Sequence, residues 1–297
     1  MRTTFINELL HHAENDAKIA LLIGDLGYSV VEKFADRLPD QFVNIGIAEQ
    51  NMAGIAAGMA SEGHHVFTYS IANFSTFRAA EQLRNDIDYH TLPVTTVIVG
   101  GGLAYGNLGY SHHAIQDFAL MRSLPNTLIL SPGDPEEVRA CVDYITRNPQ
   151  PSYLRLGKNG EPTIHKGKIE CAVGGLVKIA AKGDTNKTAY VCTGTGLAHA
   201  LAAFEKSEDG TLYSLPIWGF GARCRDTTGL LSRFQAIRTF ETHLVDAGFG
   251  SWISEGFLKF GKAMPKLFMH GYDIDILGKV GSQAELESLT SLKCDDG

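Results

Sequence analysis

The amino-acid sequence predicts an α/β protein: a parallel sheet covered by helices, followed by a second, smaller α/β unit. Three observations carry that expectation. Short apolar runs alternate with longer helical patterns along the 297 residues, as they do when helices form the crossovers of a parallel sheet. Many of the 32 glycines stand at the ends of apolar runs, where strand-to-helix turns are tight. A polar, glycine-containing stretch over 157–172 reads as a linker, and it divides the chain into units at 1–160 and 173–297. This length is ordinary for two domains.

The elements follow in order. Leu9-Leu10 followed by His11-His12 marks an amphipathic first helix. Ile19-Ala20-Leu21-Leu22-Ile23 is a buried strand stopped by Gly24-Asp25-Leu26-Gly27, and Phe42-Val43-Asn44-Ile45 is a second. The helix from Glu49 to Ala60 carries so many Ala and Gly residues that it can pack very closely on a neighbour. Strands are expected at 65–69, 94–99, 127–130 and 152–156, with a helix over 76–89 whose apolar positions are Ala80, Leu83 and Ile87. Ser131-Pro132-Gly133-Asp134-Pro135 starts another helix, with a polar cap, an early proline and Glu136-Glu137 in the first turn. In the second unit, 189–196 reads as strand and turn, 197–204 as helix, 237–241 as strand and Gly248-Phe249-Gly250-Ser251 as a turn.

Composition narrows the function classes. A net charge of −7 disfavours nucleic acid or an anionic membrane as the main partner, since both attract basic surfaces. No run of apolar residues is long enough to span a bilayer, and Glu8 interrupts the start where a signal peptide would be apolar. The five scattered cysteines form no CxxC pair, so free thiols in a reducing cytoplasm are expected.

The most specific segment is Asn44-Ile45-Gly46-Ile47-Ala48-Glu49-Gln50-Asn51-Met52. It places a carboxylate at the mouth of a strand-to-helix turn, beside a helix too small-sided to face solvent. Burying Glu49 there is costly unless something needs it. A first-turn glutamate favoured by the helix dipole is the other reading that spacing allows.

This segment resembles the pyrimidine-binding domain of the transketolase family, whose Gly-x-x-Glu motif sets the glutamate at this helix start. The resemblance continues through Phe74-Ser75-Thr76-Phe77-Arg78-Ala79-Ala80-Glu81-Gln82-Leu83-Arg84, Leu108-Gly109-Tyr110-Ser111-His112-His113 and Tyr153-Leu154-Arg155. Phe240-Glu241-Thr242-His243 and Gly248-Phe249-Gly250-Ser251 are similar to the family's small C-terminal domain. The implied fold is a pyrimidine-binding domain for thiamine diphosphate followed by a transketolase C-terminal-type domain.

The resemblance also implies roles. Glu49 would hydrogen-bond a ring nitrogen of the aminopyrimidine and favour its imino tautomer, which removes the thiazolium proton. Phe74, or alternatively Phe77, would stack on the pyrimidine. Asp25 and Leu26 match positions facing the cofactor, and Ser29 one facing substrate. His112 matches the family histidine near the reactive carbon, whereas His113 matches a non-basic position. Arg155 stands where an arginine grips a substrate phosphate or carboxylate. With no third ligand near the His112-His113 pair, no metal site is expected in this chain.

Two departures bear on substrate. Gly100-Gly101-Gly102 stands where transketolases of sugar-phosphate metabolism carry a histidine, and Asn107-Leu108 where they carry an acid. Both make the site less polar and place ordinary pentose phosphates in doubt. The Gly-Asp-Gly that holds the diphosphate and its Mg2+ is also missing, since Gly24-Asp25-Leu26, Gly133-Asp134-Pro135 and Gly183-Asp184-Thr185 each lack the second glycine. The implied partner is therefore a separate diphosphate-binding chain that carries the Mg2+, in an α2β2 assembly. The activities left open are two-carbon ketol transfer between sugars, a 2-oxo acid dehydrogenase beta chain, and a non-catalytic subunit.

Overall fold

The structure, a computed structural model, describes residues 1–158, 160–219 and 225–292. Its first part runs α1 (Arg2–Ala13), β1 (Ile19–Ile23), α2 (Glu32–Arg37), β2 (Phe42–Asn44), α3 (Glu49–Ser61) and β3 (His65–Ile71). It continues with the short α4 (Ala72–Ser75) and α5 (Ala80–Gln82), then β4 (Val94–Val99), α6 (Asp117–Met121), β5 (Leu128–Leu130), α7 (Pro135–Arg147) and β6 (Ser152–Leu156). The remainder comprises β7 (Val177–Lys182), β8 (Thr188–Cys192), α8 (Gly196–Lys206), β9 (Gly210–Ser214), β10 (Ile217–Trp218), α9 (Arg225–Leu231), β11 (Ala236–Leu244), α10 (Phe249–Phe260), β12 (Lys266–Tyr272) and α11 (Gln283–Glu287).

Two sheets result. The first has the order β10-β5-β6-β4-β3-β1-β2 and is parallel except for β10 on β5. The second has the order β12-β11-β8-β9-β7 and is parallel except for β7 on β9. Strands β1, β4 and β6 are buried along their whole length, and β1 accordingly reads as a continuous apolar run. One core layer forms where α1 and α7 cover the first sheet with Phe5, Leu9, Val138 and Ile145. The other face is covered by the alanines of α3, and that layer continues through Trp218 into the second sheet.

Local chemistry accounts for most boundaries. Asp134 caps α7 as its sequence suggests, with Oδ1 accepting from Glu137 N at 2.9 Å and Pro135 in the first turn. Its Oδ2 accepts from the backbone of Ile164 and His165, each at 2.8 Å, and so fastens the 157–172 stretch to the first sheet's helix layer.

Several expectations are corrected. The 76–89 helix is not regular: only Ala80–Gln82 is α-helical, and Leu83–Asp88 widens into a π-turn. That shift buries Ala79, Leu83 and Ile87 and leaves Ala80 half-buried. The Gly248-Phe249-Gly250-Ser251 segment is a helix start, because Glu241 accepts from the backbone of Phe249 and Gly250 and satisfies the first turn of α10.

Arg155 is also corrected. It does not reach out to grip substrate: its side chain is 2% exposed and its donors are already engaged. Nε donates to Asp117 Oδ2 at 2.6 Å, Nη1 to Thr242 Oγ1 at 3.0 Å, and Nη2 to the carbonyls of Ala114 and Thr242 at 2.8 Å each. The guanidinium also stacks on Phe118, 4.4 Å from the ring centre. Arg155 thus clamps β6 of the first sheet to β11 of the second.

The Gly100-Gly101-Gly102 run follows from the same packing. A Cβ at Gly100 would run into the Tyr105 ring, one at Gly101 would stand 2.8 Å from the Arg155 guanidinium, and one at Gly102 2.9 Å from the Tyr272 hydroxyl. Gly100 and Gly102 also have positive φ. A histidine therefore does not fit this turn.

Breaking a buried pair leaves a charge without compensation, so Arg155→Ala is expected to lower the unfolding free energy by about 3–5 kcal/mol. Chemical denaturation followed by circular dichroism measures it, and a loss below about 1 kcal/mol would refute the clamp.

Candidate functional site

Several of the sequence-predicted residues, Glu49, Asp25, Phe74 and His112 among them, lie toward the carboxyl edge of the first sheet, where β1 and β3 end and α3 begins. Gly46, with φ at +78°, turns the chain from β2 toward α3, and Glu49 becomes the first residue of that helix. Its side chain is 1% exposed. Ser70, at the end of β3, donates to Oε1 at 3.1 Å, and Arg78 Nη1 donates to Oε2 at 2.7 Å. This is not a solvent-facing glutamate that merely complements a helix dipole.

Phe74 and His112 lie beside it. The Arg78 guanidinium sits 4.6 Å from the centre of the Phe74 ring. His112 packs edge-on against the same ring, with centroids 5.2 Å apart. The loop that carries His112 is fixed by Asn73, whose Nδ2 donates to the carbonyls of Ser111 and His113 at 3.1 and 3.0 Å. Burial and the neighbouring His113 push the His112 imidazole below its usual pKa. His113 itself is fully buried beneath the loop, facing the Gly106 carbonyl.

Phe77 is not part of this cluster. It is half exposed and lines a separate open crevice of about 600 Å³ with Asn73, Tyr110, Gln116 and Leu120. Asp25 and Ser29 occupy the exposed β1 exit loop, both with positive φ. Asp25 accepts from Asn44 Nδ2 at 2.9 Å, which ties this loop to the Gly46 turn. Leu26 is half-buried against the core beneath.

Sequence reasoning assigns no role to Arg78, Ser70, Asn73, Tyr105 or Lys158. Tyr105 extends the line of contacts, since its ring centroid is 6.4 Å from that of His112 and 5.3 Å from Lys158 Nζ. Lys158, at the exit of β6, is exposed, unlike Arg155 three residues earlier. The signal available for Lys158 was position: β6 is buried at every residue, and Lys158 is the first cation beyond its end.

The rim is apolar. Tyr28 is 77% exposed and Ile47 76%, and Val43 on edge strand β2 and Leu108 are exposed as well. Among the described residues, no three His, Cys, Asp or Glu side chains are grouped to hold a metal, and no helix is long and apolar enough to cross a membrane.

The family described as "Transketolase, pyrimidine binding domain" matches residues 1–161. One subunit of the apulose-4-phosphate transketolase of Phocaeicola vulgatus is 36% identical over 199 residues, covering 64% of this chain and 64% of that subunit, less than two thirds of its length. The corresponding subunit of the Actinobacillus succinogenes enzyme is 32% identical over 232 residues, covering 76% of this chain and 72% of the relative. A solved split-gene transketolase, described as an inactive β4 tetramer, superposes with a TM-score of 0.81 at 30% identity, covering 98% of this chain and 93% of that one.

The His112 environment is directly measurable. In a nuclear magnetic resonance titration its imidazole is expected to titrate below 6.5, and Phe74→Ala, which opens it to water, should move the midpoint back up. An unchanged midpoint in that variant would show that the ring contact does not shield it.

Proposed function

The chain belongs to the transketolase family, and we propose that it is the pyrimidine-binding subunit of a two-chain, thiamine diphosphate-dependent enzyme. In this reading the enzyme transfers a two-carbon ketol unit between carbonyl substrates. The observation that carries it is the buried Glu49 carboxylate, linked through the Arg78 guanidinium to the face of the Phe74 ring.

These residues suit the cofactor's aminopyrimidine. Phe74 provides an aromatic face, and Glu49 provides a fixed acceptor for a ring nitrogen. Buried polar atoms without a partner, Asn73 Oδ1 and Ser75 Oγ, flank Phe74. When bound, the cofactor supplies the electron sink for carbon–carbon bond cleavage and formation, and the protein positions and polarises. Glu49 holds the proton at the pyrimidine ring nitrogen. His112, neutral near pH 7 because burial lowers its pKa, accepts or returns a proton at the substrate carbonyl oxygen. Asp25 and Leu26 line the cofactor side of the β1 exit loop, and Ser29 its substrate side.

Lys158 replaces Arg155 as the cation for an anionic substrate tail. It lies beyond Tyr105 from His112, so a substrate whose carbonyl meets His112 directs its far end toward the ammonium. The two bacterial relatives are named for a phosphorylated sugar, which is a substrate of that kind.

The apolar rim and the bare edge of β2 support docking of a second, diphosphate-binding chain that holds the Mg2+, in an α2β2 assembly. The split-gene relative described as an inactive tetramer of one chain type is consistent with that need. On this reading 1–160 is the pyrimidine-binding domain, 173–297 is the transketolase C-terminal-type domain, and the enzyme works in the cytoplasm.

Glu49→Gln is expected to keep the circular dichroism spectrum and to lower turnover of the assembled complex by about a hundredfold or more in a ketose–aldose assay. Wild-type turnover in that variant would sink the assignment. Lys158→Ala should raise KM for a phosphorylated sugar by about tenfold and leave kcat nearly unchanged, since a rim charge binds ground and transition states alike. An equal effect on an uncharged sugar would remove Lys158 from the substrate site.

A further inference from the structure

The carboxylate on which the proposed function relies already has a partner in the folded chain. Arg78 Nη1 lies 2.7 Å from Glu49 Oε2, and the same guanidinium covers the Phe74 ring at 4.6 Å from its centre. One flat cationic group therefore fills the space between the aromatic face and the acid. The Arg78 side chain is 45% exposed, so it reaches in from the surface, whereas Ser70 fixes Glu49 from behind.

Contrast with Arg155 shows what kind of arginine this is. Arg155 directs its donors to four buried acceptor atoms on three residues and is sealed from water. Among the described residues, the Arg78 guanidinium has Glu49 as its single hydrogen-bond partner. The backbone beneath it is irregular, lying between α4 and α5. Arg78 is thus held by one ion pair and one ring, and its stem can swing outward without unpacking a core.

A guanidinium and an aminopyrimidine share two features, a flat face that stacks on an aromatic ring and in-plane N–H donors that meet a carboxylate. Both cannot lie between Phe74 and Glu49 at once. Removing the arginine with nothing in its place would leave a buried carboxylate uncompensated, which is costly.

We infer that Arg78 is a displaceable counter-ion, a positioning residue that occupies the pyrimidine seat in the lone chain and is exchanged for the cofactor's ring on binding. This rests on the reading that Glu49 and Phe74 form that seat. Cofactor binding then includes the free energy of expelling Arg78, so the affinity of the complex is set below what the seat alone would give. By linkage, the cofactor in turn drives Arg78 outward.

The test is a calorimetric titration of thiamine diphosphate with Mg2+ into the complex reconstituted from this chain and its diphosphate-binding partner. Arg78→Met is expected to tighten binding by about tenfold, because the seat no longer has to be cleared. In the Glu49→Gln background the same change should alter affinity by less than about twofold, since no carboxylate remains to hold the arginine. Arg78→Lys, which keeps the charge but loses the flat cover over Phe74, should fall between wild type and Arg78→Met. Unchanged or weaker binding in Arg78→Met or Arg78→Lys would overturn the inference. If Glu49→Gln and Phe74→Ala instead bind the cofactor as tightly as wild type, the seat itself has been misassigned.

Discussion

A carboxylate withdrawn from water is tolerated only beside donors or positive charge, and the candidate site is organised around that constraint at Glu49. The Gly46 turn delivers this residue to the start of α3. The alanines of α3 let the helix settle close against the sheet, so that Glu49 is covered from one side and met by Ser70 from β3. Only the outward oxygen is left for a group that comes and goes. Arg78 meets that oxygen and thereby brings a cation onto the face of Phe74. Burial of one acid thus fixes where the helix starts, which strand end faces it and why a surface arginine leans inward.

The second organising feature is the junction of the two sheets. Arg155 is enclosed by Asp117, the Ala114 carbonyl and Thr242, and Tyr153 adds its hydroxyl to Asp117 at 2.6 Å. That arrangement needs the Gly100-Gly101-Gly102 turn to be bare, because Tyr105, Arg155 and Tyr272 press on it. The glycines that leave no room for a histidine are therefore a packing requirement of the junction. They also leave room for the Tyr105 ring, which contacts both His112 and the outward Lys158.

Much of this was legible in the sequence, for identifiable reasons. The buried parallel strand β1 announces itself as an unbroken apolar run, β4 as a β-branched one, and Asp134-Pro135 announces the start of α7. The Gly-x-x-Glu spacing and the Phe74 and His112 motifs lead to side chains that the fold brings within one cluster. What stayed hidden depends on tertiary context. Periodicity cannot distinguish a π-turn from an α-helix over six residues, so 76–89 reads as one helix. Residue type alone does not tell a clamping arginine from a substrate-gripping one, and Arg155 looks like either until Asp117 and Thr242 close around it. Strands β7, β9 and β10 pair through partners distant in the chain, and short runs of mixed polarity give little local sign of that. Ion pairing between Glu49 and Arg78 spans 29 positions, beyond the reach of any local pattern.

The most direct measurement is a crystal structure of the assembled two-chain complex with thiamine diphosphate bound. The aminopyrimidine is expected to stack on Phe74 with a ring nitrogen within hydrogen-bond distance of Glu49, and the diphosphate to be held by the other chain. A cofactor lying elsewhere, with Glu49 still bonded only to Ser70 and Arg78, would contradict that expectation.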